Sequence, residues 1–298
     1  DRCLSRGLGD VYKRQMAIWG KIGLLSFGGP TAQIALMHRL IVAERRWLSE
    51  AQFLNALSFC MLLPGPEAMQ LATYVGWRIH GILGGIVAGL LFVLPGALIM
   101  LCLGIAYVYF GTFGIAGALF LGLKSAIVVI VLQALFRLAG KALQRPHQWV
   151  IAIIGFCGIF ILALPFPLII AMAAICGFAN NRHLQATTKL PPLPNGKDTA
   201  KTFLIWVGIW WGPLLAIDLF ADVPVLAEIG YFFSKLAVVT FGGAYAVLAY
   251  MAQDVVAQLG WLQPAEMMDG LGLAETTPGP LILVTEFVGF LAAFKTAG

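Results

Sequence analysis

The chain has 298 residues, of which 60% are hydrophobic and 11% charged, with a formal net charge of +5 and a mean hydropathy of +0.89. Ordinary soluble domains carry about 25% charged residues, and a soluble protein of this size has no interior able to hide so much apolar surface. Lipid is therefore the expected solvent. The basic residues stand in short loops beside apolar runs and form no aromatic-interleaved patch, so nucleic acid is not an expected partner.

In chain order, residues 1–15 are polar and aperiodic and stop abruptly at Met16, which marks them as a non-native leader outside the fold. Apolar segments of spanning length follow at about 16–38, 51–77, 82–109, 113–136, 148–180, 202–220, 229–251 and 267–294, where about 20 residues cross a bilayer. Several carry breakers: Gly28-Gly29-Pro30, Pro64-Gly65-Pro66, Pro95-Gly96, and Pro165 with Pro167. Proline lacks an N–H and clashes with the preceding turn, so kinks or breaks are expected there. Backbone freed at membrane depth must face protein or a wet cavity, so these breaks are expected to point inward. The polar, proline-rich stretch around 184–200 reads as a linker between a first half, 16–183, and a second half, 201–298.

The halves are related. A shift of 214 residues superimposes Lys21 on Lys235, Phe27-Gly28-Gly29 on Phe241-Gly242-Gly243, Trp47-Leu48 on Trp261-Leu262 and Pro64-Gly65-Pro66 on Pro278-Gly279-Pro280. In all, 16 of the 46 positions from 21 to 66 are identical without a gap. One deletion later, Val75-Gly76-Trp77 meets Val288-Gly289-Phe290. Coincident Gly, Pro, Trp and Lys are not what shared apolar composition produces. Segments 82–180 have no counterpart before Gly298, so a C-terminally truncated chain is expected. The loop with Arg39, Arg45 and Arg46 asks for the cytoplasm, whereas its counterpart, 252–266, has no Lys or Arg. The basic linker pulls the other way, but the loop asymmetry favours halves inserted in opposite senses. The expected fold is an all-α integral membrane protein, a polytopic bundle of two homologous, inverted halves with broken or re-entrant helices.

Charge at membrane depth is costly, about 2.5–3.5 kcal/mol per residue at a helix centre, and so points to function. Lys21 and Lys235 share one repeat position, six residues before the aromatic of each Phe-Gly-Gly. Either could reach the interface along its own stem, but their equivalence favours a pair of anion ligands. Helices restarting after Ser26-Phe27-Gly28-Gly29-Pro30 or Pro64-Gly65-Pro66 would present unpaired N–H groups and a positive dipole end, which bind oxyanions without side-chain charge. The bland reading is that Gly and Pro only allow close packing. Two symmetric pairs of motifs favour a substrate lining. Glu67, Glu275 and Glu286 are intramembrane acids beside the breaks, with Glu67 and Glu286 the candidates for proton coupling and a neutralising Lys–Glu pair the alternative. The five cysteines and four histidines make no metal set, and no cofactor motif appears.

The run Ser26-Phe27-Gly28-Gly29-Pro30, with Arg46-Trp47-Leu48, Leu63-Pro64-Gly65-Pro66, Gln70, Gly81-x-x-Gly84-Gly85 and Phe92-x-x-Pro95-Gly96, resembles the chromate ion transporter family. Thr240-Phe241-Gly242-Gly243 with Thr277-Pro278-Gly279-Pro280 is similar to that family's C-terminal copy. The resemblance covers 16–298. Glu67 and Ala68 depart from it where small or hydroxyl residues are expected, which leaves substrate and coupling ion open. It implies a multi-pass secondary transporter of the inner membrane that expels chromate, with sulfate as a mimic, and leaves a homodimer open. An intramembrane enzyme acting on lipid is the rival of another class, but no HExxH, GxSxG or Walker motif supports it.

Overall fold

The computed structural model describes residues 15–110, scattered positions between 122 and 143, 146–162 with a few positions up to 176, 196–240 except Asp222, and 244–297. Every regular element among the described residues is helical. The leader up to residue 14, most of segment 113–136, Pro165 and Pro167, and the linker up to residue 195 lie outside them. The chain divides into two compact units, residues 129–227 and residues 1–128 with 228–298.

The larger unit begins with α1 (15–25), α2 (Gly29–Met37), α3 (Glu50–Leu62) and the kinked helix Glu67–Phe110. His80 and Gly81 leave helical geometry and divide the last into α4 (67–79) and α5 (82–110). In the smaller unit lie α6 (Pro146–Phe160) and α7 (Gly196–Phe220), which starts inside the expected linker. Then come α8 (Pro224–Val239), α9 (Ala244–Gln253), α10 (Pro264–Thr276) and α11 (Val284–Ala297). Glu67–Phe110 and residues 199–220 are the described helices long and apolar enough to cross a membrane.

The 214-residue repeat is visible hydrogen bond by hydrogen bond. Ser26 Oγ caps α1 by donating to Ile22 O (2.6 Å), as Thr240 Oγ1 does to Leu236 O (2.7 Å) at the end of α8. Both α2 and α9 loosen into π-helix, at His38–Glu44 and Asp254–Gln258. Each then turns through a left-handed residue, Arg46 (φ 53°) or Gly260 (φ 64°). Ser49 and Gln52 cap α3 reciprocally, and Glu266 accepts from the Gln263 N–H (2.7 Å) at the same place on α10. The expected segment 51–77 is two helices. α3 has 13 residues, about 20 Å at 1.5 Å per residue, short of the roughly 30 Å hydrocarbon core.

Small residues set the packing. An added Cβ on Gly76 or Gly84 would strike the backbone of the other helix, so α4 and α5 touch backbone to backbone. Gly89 lies beside Thr73, so α5 runs against α4. Further along, Gly96 lies against Pro278 and Leu283, Gly104 against Phe290, and Tyr109 against Phe294. α5 therefore runs alongside α11 in the same sense. Where a kink or break is expected at Pro95-Gly96, helical geometry continues, so α5 is not broken there. Proline frees the carbonyl four residues earlier, here Leu91. Gly23 of α1 lies so close that a Cβ there would strike that carbonyl oxygen and sit 3.2 Å from Pro95 Cγ. Packing with α1 accommodates the proline.

Candidate functional site

The two Pro-Gly-Pro breaks meet in the larger unit. Gly65 has φ 112° and Gly279 φ 102°, a region glycine enters freely and other residues do not. The Gly65 N–H donates to Thr240 O (2.7 Å), and the Gly279 N–H donates to Ser26 O (2.9 Å). Under the 214-residue shift these two bonds exchange places. Each half thus ties its Pro-Gly-Pro break to the end of the first repeat helix of the other half.

Two glutamines clamp this crossing, and both belong to the first half. Gln33 on α2 is 1% exposed and donates through Nε2 to Gly279 O (2.6 Å) and more weakly to Ser26 O (3.4 Å). Gln70 donates to Pro64 O (2.6 Å) across its own break. The shifted positions hold Val247 and Val284, both buried. The Oε1 atoms of Gln33 and Gln70 have no hydrogen-bond partner among the described residues.

Around the crossing, the expected site residues fall into three groups. Ser26, Thr240, Pro64, Gly65, Gln70, Pro278 and Gly279 are brought together as described, and Pro66 and Pro280 flank the same turns. Phe27 is 47% exposed beside them, Gly28 is the left-handed N-cap of α2, and Gly29 and Pro30 form its first turn. That N-terminus has no side-chain cap, and the Gly29 and Thr31 N–H groups precede the first intrahelical bond while Pro30 has none, so they are donors of the kind oxyanions take. The N–H groups of Gly65 and Gly279, in contrast, are spent across the halves. Phe241, Gly242 and Gly243 lie outside the described residues.

Lys21 and Lys235 lie on exposed faces of α1 and α8, five residues before Ser26 and Thr240. Lys235 Nζ is 5.9 Å from the ring centroid of Tyr250, whereas the shifted position beside Lys21 is Leu36. Glu67 occupies the first turn of α4, where the helix dipole favours negative charge. It is 8% exposed, and its Oε2 has no partner among the described residues. Glu286 is half-buried in the first turn of α11. Among the described residues, no three His, Cys, Asp or Glu side chains are grouped to hold a metal.

Two features escaped sequence reasoning. Gln33 carried a signal, being a polar residue within an apolar run. The bond from Tyr107 to buried Asp269 Oδ2 (2.9 Å) joins positions 162 apart and carried none.

Comparison with known proteins agrees with the motif pattern. The model of the family described as "Chromate transporter" matches residues 14–178 and 227–298. The chain is 32% identical over 273 residues to a "Probable chromate transport protein" of Synechococcus elongatus, covering 92% of this chain and 67% of that one. It is 34% identical over 293 residues to a "Chromate transport protein" of Pseudomonas aeruginosa, covering 94% and 67%. To a "Chromate transport protein" of Cupriavidus metallidurans it is 31% identical over 278 residues, covering 92% and 66%. The chain thus spans about two thirds of these relatives' length. No solved structure matches it.

Proposed function

This chain belongs to the chromate transporter family, and on that premise we propose that it is a multi-pass secondary transporter of the cytoplasmic membrane that exports chromate by alternating access. The observation that carries the reading is the crossed pair of hydrogen bonds, Gly65 to Thr240 and Gly279 to Ser26. A pair of bonds that exchange under the repeat belongs to a pseudo-two-fold axis, and transporters of this kind bind their cargo where such repeats meet. Inversion of the halves draws support from α5, which runs against α4 but alongside its repeat partner α11.

The chemistry at the crossing suits an oxyanion. The uncapped start of α2 offers N–H groups and a positive dipole end. Lys21 and Lys235 supply the balancing charge, each about 7–8 Å along its helix from a break at 1.5 Å per residue. Glu67 and Glu286 carry the coupling protons. Sulfate, with the same tetrahedral shape and charge, is the second cargo on the same site.

The test is uptake of radioactive chromate and sulfate by chromate-sensitive bacteria expressing the gene to its natural stop codon, as wild type, Lys21→Ala or Lys235→Ala. Wild type lowers chromate accumulation, and either substitution abolishes this at equal expression. Unchanged chromate in wild-type cells would sink the cargo assignment, and export surviving both substitutions would sink the lysine site. An intramembrane enzyme would keep its activity in detergent, whereas this function requires a sealed membrane.

A further inference from the structure

Helix α5 belongs to the first half by sequence, and beyond its hairpin with α4 it packs on the second. Gly96 meets Pro278 and Leu283, and Gly104 meets Phe287 and Phe290. Tyr107 donates to Asp269 (2.9 Å) and sets its ring edge-on to Phe287, with centroids 5.2 Å apart. The repeat identifies the matching positions of the first half. Asp269 corresponds to Asn55 by the shift of 214, and Phe287 and Phe290 correspond to Tyr74 and Trp77 after the single deletion.

In the first half these positions line an open groove. A cavity of about 240 Å³ on α3 and α4 is lined by Asn55, Tyr74 and Arg78 among others. A second, of about 360 Å³, is lined by Leu63, Met69, Gln70 and Trp77. The two share Phe59 and Tyr74, so they adjoin along one face of α3 and α4 as a trough with these rings between its two parts. Phe59 is 57% and Trp77 50% exposed, whereas Phe287, under α5, is 1% exposed.

We propose that this trough is the seat of a membrane helix that is the second half's counterpart of α5, carried by polypeptide continuing past residue 298. The inference rests on the reading of two inverted halves, in which every contact of α5 with the second half has a mate on the first. The relatives leave room for such a helix, since this chain spans about two thirds of their length. The chemistry of the trough specifies the occupant. Phe59, Leu63 and Trp77 ask for an apolar face with small residues where α5 has Gly96 and Gly104. Asn55 both donates and accepts, so it receives a hydroxyl or amide where Asp269 takes the Tyr107 hydroxyl. Arg78 stands where the second half has Leu291, and so asks for an acceptor at that end.

The test uses the gene extended to its natural stop codon, with native cysteines replaced. Trp77→Cys is combined with single cysteines walked through the first helix after residue 298, and membranes are oxidised with copper phenanthroline. Intramolecular cross-links recurring every three to four residues, repeated with Phe59→Cys should Trp77→Cys fail to accumulate, are the expected result. Cross-links only between two chains would overturn the proposal in favour of a second copy. No cross-link, with the Trp77→Cys thiol reacting with a lipid-soluble maleimide, would overturn it in favour of lipid. The readout is independent of chromate export. Inversion has its own test by labelling positions 49 and 263, so failure of the seat and failure of the transport reading are distinguishable.

Discussion

At the scale of single residues, the crossing of the two breaks depends on groups that cannot be exchanged for others of similar size. Gln33 is fully buried and puts its amide on the Gly279 carbonyl. Gln33→Leu keeps the volume and leaves that carbonyl without its donor, a loss of about 1–3 kcal/mol for a buried group. A lower unfolding midpoint in detergent is expected, and a midpoint equal to wild type would mean that the clamp contributes nothing. Gly279→Ala acts by another route. At φ 102° a side chain is strained by about 1–3 kcal/mol, and its Cβ would lie 2.9 Å from Leu283 Cδ1 and 3.3 Å from Gly96 Cα. Loss of chromate export at normal membrane insertion is expected, and full export by the alanine variant would count against a role for the break.

At the scale of elements, the α4–α5 hairpin shows which glycines matter. Gly76→Val drives a branched side chain into the Gly84 carbonyl and Ala88 Cβ, and overpacking of this kind costs about 1–3 kcal/mol. Gly20 on α1 has nothing within 4 Å of an added Cβ, so Gly20→Ala gains helix propensity of up to about 1 kcal/mol. Size-exclusion profiles of detergent extracts should show the folded peak shrinking for the first variant and holding for the second. The reverse order would invalidate the packing described here. The sequence marks elements well where chemistry interrupts the backbone. Gly65 and Gly279 are legible because Pro-Gly-Pro cannot continue a helix. Pro95 does not break its helix, and the sequence does not show that Gly23, 72 positions earlier, packs against the carbonyl that the proline frees. The π-helical turns at His38–Glu44 and Asp254–Gln258 leave no mark, since a shift from i−4 to i−5 bonding needs no particular residue.

At the scale of the whole molecule, hydropathy locates apolar segments but says nothing of the direction in which each runs. The signal for direction in the sequence is Arg39, Arg45 and Arg46, against the opposing pull of the basic linker. The path of α5 supplies a second argument, because it pairs with repeat-related α4 and α11 in opposite senses. With the halves inverted, equivalent loops lie on opposite faces of the membrane. Ser49 and Gln263 are exposed, sit at identical repeat positions and begin α3 and α10. In intact cells a membrane-impermeant maleimide should label Gln263→Cys and spare Ser49→Cys, with both labelled once the membrane is opened. The positive-inside tendency fixes which is spared, because the arginines lie beside Ser49. Labelling of both or of neither in intact cells would place the two loops on one face. A two-fold axis lying in the membrane plane would then be ruled out, and with it the exchange of access around the crossed breaks.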